Sequence, residues 1–240
     1  MALKVIIIGG VAGGASAAAR LRRLNEDMEI VLLERGEYIS FANCGLPYYI
    51  GNVIEEREKI FLMTPQKFRE WYNVDVRVNS EAISIDPARQ SVEITDRRSG
   101  KTYRENYDYL VLSPGAEPNR PPLPGIYNPA VFTLRTVSDM DRIYNFIQRH
   151  KPAAAVVVGA GSIGLEMAEN LQARGIAVTL VELSSQVLPF LDPEMAALVQ
   201  QHLREKGVSL HLNDGAAMFE ETDGPGVAVT LRSGKKLVPG

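Results

Sequence analysis

Apolar positions along this chain fall in short unbroken runs, set between glycine-rich turns and longer mixed segments. Residues 3–8 are β-branched and apolar, the pattern of a strand covered on both faces. Gly9-Gly10-Val11-Ala12-Gly13-Gly14 follows, and residues 15–24 form an Ala-rich stretch of helical composition. Residues 30–33 are a second buried strand, which ends on Glu34. Thr64 is the expected N-cap of a helix with Pro65 at its first position. Residues 74–78 and 82–85 are expected strands, and 91–95 with 102–107 flank the turn Arg97-Arg98-Ser99-Gly100-Lys101 as a hairpin. Residues 109–112 are another buried strand, closed by Ser113-Pro114-Gly115-Ala116. Proline and glycine punctuate 117–129 densely enough for a connection between domains.

The second half repeats the opening pattern. Residues 156–158 are an expected strand, followed by the complete G-x-G-x-x-G of Gly159-Ala160-Gly161-Ser162-Ile163-Gly164. A helix over 165–174 closes at Gly175, and a strand over 178–181 ends on Glu182. Strand, glycine turn, helix, strand and terminal acid make a βαβ unit suited to a dinucleotide. The turn and helix N-terminus hold a pyrophosphate, and the acid accepts from a ribose hydroxyl. Two such units imply two nucleotides. The first departs from the pattern, because Val11 stands where the middle glycine belongs. In the second, a carboxylate at Glu182 repels a 2′-phosphate, and Leu183, Ser184 and Ser185 include no arginine to receive one. NADH is therefore favoured over NADPH.

Composition narrows the class. A formal charge of −3 exerts no general attraction for nucleic acid or an anionic membrane. No run approaches the roughly 18 apolar residues of a membrane helix. With 1 cysteine in the chain no internal disulfide forms, which fits a reducing compartment such as the cytoplasm. His150, His202 and His211 lie outside every motif without metal-ligand spacing, so no metal is expected and they are assigned to the surface. Trp71 and Tyr72 are expected to pack, and Asp192 with Glu194 to begin a helix.

The lone cysteine, Cys44, sits in Ser-Phe-Ala-Asn-Cys-Gly-Leu-Pro-Tyr-Tyr-Ile-Gly over 40–51, between the two nucleotide units. Asn43 and Gly45-Leu46-Pro47 place Cys44 at the opening of a helix, where the dipole favours a thiolate.

This stretch, both βαβ units, 112–116 and Phe132-Thr133-Leu134-Arg135 together resemble the flavin-dependent pyridine nucleotide-disulfide oxidoreductases. The resemblance is to their single-cysteine branch. That branch includes coenzyme A-disulfide reductases, some fused to a rhodanese domain, with NADH oxidases and peroxidases as relatives. Val11 in the first turn is also seen there.

The resemblance implies an α/β fold of two Rossmann-like dinucleotide-binding domains. Residues 1–118 are expected to bind FAD and carry the redox cysteine, 119–150 to connect, and 151–240 to bind NAD(H). It places Gly9, Gly14 and Glu34 at the adenosine diphosphate half of FAD and Gly115 near the flavin, with Gly10, Ala12, Gly13, Arg35, Ser113 and Pro114 also binding cofactor. Gly159, Gly161, Ser162, Ile163, Gly164 and Glu182 are implied to bind NADH, with Glu166 beside the nicotinamide. Ser16, Arg23, Ser40 and Asn43 match positions that contact coenzyme A, and Arg20, one helical turn before Arg23, adds to that phosphate site. A lysine known in some relatives is not kept, and Tyr72 is near its place.

The implied activity carries electrons from NAD(P)H through flavin to Cys44 and on to coenzyme A disulfide. Without a second cysteine, the oxidised thiol is either a mixed disulfide or a sulfenic acid. The first suits a disulfide reductase; the second suits an NADH peroxidase or oxidase. A polysulfide reductase and a non-catalytic redox sensor are the other readings. Relatives continue past the second nucleotide domain with a second flavin-binding half and a dimerisation domain. The chain is thus expected to be the N-terminal portion of a homodimeric enzyme, ending at Leu237-Val238-Pro239-Gly240 within its second nucleotide domain.

Overall fold

The structure, a computed structural model, describes residues 2–238. Met1, Pro239 and Gly240, which include the end of the expected second domain, lie outside the described residues. In chain order the elements begin with β1 (Lys4–Ile8), α1 (Ala12–Leu24), β2 (Glu29–Glu34), α2 (Leu46–Ile50), α3 (Pro65–Tyr72) and β3 (Asp75–Val78). Next come β4 (Ser80–Asp86), β5 (Ser91–Asp96), β6 (Thr102–Asn106), β7 (Tyr109–Leu112), α4 (Val137–His150), β8 (Ala154–Val158) and α5 (Ser162–Ala173). The rest are β9 (Ala177–Val181), α6 (Pro193–Glu205), β10 (Ser209–His211), β11 (Ala216–Glu221), β12 (Val227–Leu231) and β13 (Lys236–Leu237).

The chain packs as two compact units. The first takes Met1–Ala42 and Glu58–Glu117, the second Asn43–Arg57 and Pro118–Gly240. In the first, four parallel strands run in the order β3-β2-β1-β7. Val5, Ile7, Ile30 and Leu32 pack with Ala15, Ala18 and Ala19 of α1 and Phe68 of α3. Ile6, Val31 and Leu33 point the other way and pack on Val92 and Ile94 of the antiparallel sheet β4-β5-β6. Both faces of β1 and β2 are covered, which is why their sequences do not alternate. The alanines let α1 lie close to the sheet.

Buried Arg22 locks the end of α1 to the end of α3. Its Nε donates to the Tyr72 carbonyl at 2.8 Å, and its Nη2 to Met28 at 2.7 Å and Asn73 at 2.8 Å. Its Nη1 donates to the carbonyls of Glu26 and Asn25.

In the second unit β10-β9-β8 form a parallel sheet and β11-β12-β13 an antiparallel one. Ile126, Val181, Ala216, Phe219, Val227, Val229 and Leu231 share one core. Thr136 and Asp139 cap α4 reciprocally, side chain to main chain in both directions.

The expected strands lie within a residue or two of the observed ones. Helices α1 and α5 begin three residues earlier than the expected 15 and 165, inside the glycine turns. Glycine's poor helix propensity masks those starts. Three features depart more. Residues 119–150, expected as a connection, include the 14-residue α4 and pack with the second unit. The cysteine segment packs there too, although it interrupts the first unit's sequence. Trp71 is 71% exposed instead of packed, because α3 turns Phe68 inward; Tyr72 does pack, its ring 4.8 Å from that of Phe68. Among the described residues no helix is long and apolar enough to cross a membrane, and no His, Cys, Asp and Glu group could hold a metal.

Candidate functional site

The two glycine turns are built alike. The Gly9 amide donates to the Leu33 carbonyl and the Gly159 amide to the Val181 carbonyl, each at 2.8 Å. Both glycines hold left-handed φ values, +99° and +102°. A Cβ on Gly14 would lie 1.7 Å from the Gly9 carbonyl oxygen, and one on Gly164 would lie 1.9 Å from that of Gly159. These glycines let each helix start press directly on its turn. Ser113, at the end of β7, packs on the first turn, and its carbonyl oxygen would lie 2.0 Å from a Cβ on Gly9.

The terminal acids brace the turns in the same way. Glu34 Oε2 accepts from Gly10 N and its Oε1 from Gly36 N, both at 2.8 Å. Glu182 Oε2 accepts from Ala160 N at 2.7 Å and its Oε1 from Ser184 N at 2.8 Å. Burial pushes the Glu182 carboxyl up, but the amides of Ala160 and Ser184 outweigh it and hold the group below the usual carboxylate range. Each carboxylate oxygen keeps a lone pair for a further donor such as a ribose hydroxyl.

Both helices begin open to an anion. Neither α1 nor α5 has a side-chain cap or an acid in its first turn, in contrast to the capped α3 and α4. Ala12, Gly13, Ser162 and Ile163 are exposed there. A Cβ on Gly161 would meet nothing within 4 Å, so nothing in the protein itself demands glycine at that place. The residues of both turns fit a bound pyrophosphate. The second turn also borders a cavity of about 1380 Å³, whose walls include Val156, Met167, Phe219 and Val229.

Cys44 is exposed and unbridged, in the 3-10 turn Asn43–Gly45 that leads into α2. The expected helix start is there, but α2 has 5 residues, too few for much of a macrodipole. Contacts unforeseen from the sequence hold this segment. Arg174 Nη1 donates to the Ile50 carbonyl at 2.8 Å, Tyr49 meets Tyr144 at 4.8 Å between rings, and Arg57 grips Asp141 through two bonds of 2.8 and 2.7 Å. The pairs lie far apart in sequence, and no local pattern announces them.

Ser16, Arg20 and Arg23 are all exposed and follow one face of α1. Arg23 Nε donates to the Ala19 carbonyl at 3.2 Å. Ser40, half-buried at φ +44°, is held by bonds from its amide to Gly10 and from the Leu62 amide to its carbonyl, each 2.9 Å. These four belong to the first unit, whereas exposed Asn43 goes with Cys44 in the second. Arg35 is ion-paired with Glu117, while Pro114 and Gly115 are exposed beyond β7. Glu166 is half-buried on α5, and its carbonyl accepts from Asn170 Nδ2 at 2.8 Å.

Two braced glycine turns of the dinucleotide-binding type and a single exposed thiol suit a pyridine nucleotide-linked redox protein. The chain belongs to the pyridine nucleotide-disulphide oxidoreductase family, which it matches over residues 3–238. The family uses FAD with NAD(P)H. The chain is 41% identical over 231 residues to the coenzyme A disulfide reductase of Staphylococcus haemolyticus, covering 96% of this chain and 51% of that protein. The structure of reduced Bacillus anthracis CoADR-RHD is 50% identical, with a TM-score of 0.95 over 100% of this chain and 43% of that one. A NAD-dependent persulfide reductase from A. fulgidus is 38% identical, with a TM-score of 0.92 over 99% of this chain and 44% of that one. The chain thus spans about half the length of the curated relatives it matches.

Proposed function

We propose that the protein of which this chain forms part is an FAD-dependent reductase that carries electrons from NADH to coenzyme A disulfide through Cys44. The observation that carries this reading is the single exposed thiol in a chain 41% identical to a coenzyme A disulfide reductase. When bound, FAD supplies a two-electron carrier between a hydride donor and a thiol. Gly9, Gly10, Ala12, Gly13, Gly14, Glu34, Arg35 and Ser113–Gly115 hold it in this reading. Gly159, Gly161, Ser162, Ile163, Gly164 and Glu182 hold NADH, with Glu166 at the nicotinamide. Glu182, braced and ionised, accepts from a 2′-hydroxyl and repels a 2′-phosphate.

The Cys44 thiolate attacks one sulfur of the disulfide. Its S–S bond breaks, one coenzyme A leaves as thiolate, and a mixed disulfide forms on Cys44. Two electrons originating from NADH cleave that bond, returning the Cys44 thiolate and releasing the second coenzyme A thiolate. The balance is NADH, one disulfide and one proton giving NAD+ and two thiols. Ser16, Arg20 and Arg23 take the phosphates of coenzyme A, and Ser40 and Asn43 complete the recognition. A reducing cytoplasm suits this chemistry, and the homodimer implied by the resemblance is the expected assembly of the full-length protein.

Cys44→Ser in the full-length, FAD-loaded protein tests the reading. Reduction of coenzyme A disulfide by NADH is expected to stop, and intact mass of the unsubstituted protein to show a coenzyme A adduct. Retained turnover in the variant sinks the thiol mechanism. The relative from A. fulgidus favours a second reading, a persulfide or polysulfide reductase. Added sulfur on Cys44, with faster turnover of polysulfide than of coenzyme A disulfide, selects it. Added oxygen on Cys44, with turnover of peroxide or oxygen, selects a peroxidase or oxidase.

A further inference from the structure

We infer that Gly51, Asn170 and Arg174 are positioning residues that set where Cys44 stands, by clamping α2 onto α5. This rests on the reading of Cys44 as the redox thiol. The clamp has two parts. Gly51 ends α2 and is buried against Asn170, itself 1% exposed. A Cβ on Gly51 would lie 2.1, 2.7 and 2.8 Å from Asn170 Oδ1, Cγ and Cβ. The last of these atoms is fixed to the main chain of α5, so no side-chain rotation relieves the overlap and the helices must part. Asn170 is itself held by its bond from Nδ2 to the Glu166 carbonyl.

Arg174, the residue that ends α5, supplies the second part. Its Nη1 donates at 2.8 Å to the carbonyl of fully buried Ile50, a helix-end carbonyl without a partner inside its own helix. Its guanidinium carbon lies 5.4 Å from the centre of the Tyr144 ring, which packs on Tyr49 of α2. The helix that begins at the second glycine turn thus grips, at its far end, the segment that opens with Cys44. Its position is a property of the second unit.

Full-length, FAD-loaded protein carrying Gly51→Ala, Arg174→Met, or Gly51→Ala with Asn170→Gly provides the test. The double variant removes all three overlapping atoms. NADH-dependent reduction of ferricyanide needs no thiol and reports the nucleotide sites alone. In both single variants coenzyme A disulfide turnover is expected to fall by about tenfold or more while ferricyanide reduction stays within about twofold. Amide exchange over 46–51 is expected to rise, and the double variant to recover most of both losses. A parallel fall in the two activities, an unchanged disulfide turnover, unchanged exchange, or no recovery overturns the inference. If Gly51→Ala does not fold, Arg174→Met carries the test. A Cys44→Ser variant that still reduces coenzyme A disulfide sinks the functional reading instead, and amide exchange then judges the clamp alone.

Discussion

Glu182→Gln exposes how much of the second nucleotide turn is held by the acid that is also read as contacting the ribose. Both carboxylate oxygens accept main-chain amides, Ala160 N at 2.7 Å and Ser184 N at 2.8 Å. Glutamine keeps the shape but offers one acceptor oxygen, so its NH2 group is set against the second amide, donor to donor. A hydrogen bond to a charged acceptor contributes roughly 1.5–3 kcal/mol, and partial exposure to water puts this one at the low end, about 1.5–2 kcal/mol. In a chain of this size the midpoint moves about 2–4 °C per kcal/mol, a drop of about 3–8 °C in its thermal transition.

The pH dependence carries a sign. The folded carboxyl lies below its ordinary value of 4.5, because the amides of Ala160 and Ser184 outweigh the effect of burial. Stabilisation from such a group is complete above 4.5 and falls away as pH drops through the folded value. Scanning calorimetry of the nucleotide-free chain is therefore expected to show the full gap between wild type and variant near neutral pH, closing on acidification. A variant that melts with the wild type at neutral pH, or a gap that widens in acid, refutes the reasoning.

The remaining glycine and arginine predictions are read by urea unfolding. Gly164→Ala puts a methyl group 1.9 Å from the Gly159 carbonyl oxygen and is expected to cost more than about 3 kcal/mol. Gly161→Ala meets nothing within 4 Å, so stability is expected to stay within about 0.5 kcal/mol while NADH binding, followed by fluorescence, weakens. Equal losses in the two variants would contradict that division between fold and ligand. Arg22→Leu strips a buried donor from the carbonyls of Tyr72, Met28 and Asn73, with an expected loss of about 3–5 kcal/mol; a loss under about 1 kcal/mol would mean that water replaces the guanidinium.

What could be read from the sequence was what repeats over short range. Unbroken apolar runs marked β1, β2, β8 and β9, which are covered on two sides or end at a glycine turn; β7 carries the same pattern, but Tyr109 and Leu112 are exposed, so the burial expected of 109–112 is not met. Thr64-Pro65 marked the start of α3, since capping is a matter of adjacent residues. The helix starts inside the glycine turns were hidden, because the glycines that let α1 and α5 press on Gly9 and Gly159 are poor helix formers. Nothing in the sequence separates Arg22 from Arg20 and Arg23, which follow the same α1 face as Ser16. Only the fold shows that Arg22 faces the carbonyls at the end of α3 while its two neighbours face water.

The allegiance of the cysteine segment was the least legible feature, for the same physical reason. Sequence order assigns Cys44 to the unit whose strands precede and follow it, and nothing within 40–51 argues otherwise. The segment's attachment depends on partners more than 80 positions away, such as Arg57 with Asp141 and Ile50 with Arg174, separated by 84 and 124 residues. A missing side chain at Gly51 is part of the grip, and an absent Cβ has no periodicity to detect. A glycine at a helix end is ordinarily read as a stop signal requiring positive φ. Gly51 has φ −74°, a conformation any residue can adopt, so its need for glycine comes from Asn170 alone. Sequence patterns can therefore identify a candidate redox thiol while leaving open which body of the protein carries it, and the contacts of α2 with α4 and α5 are what assign Cys44 to the second unit.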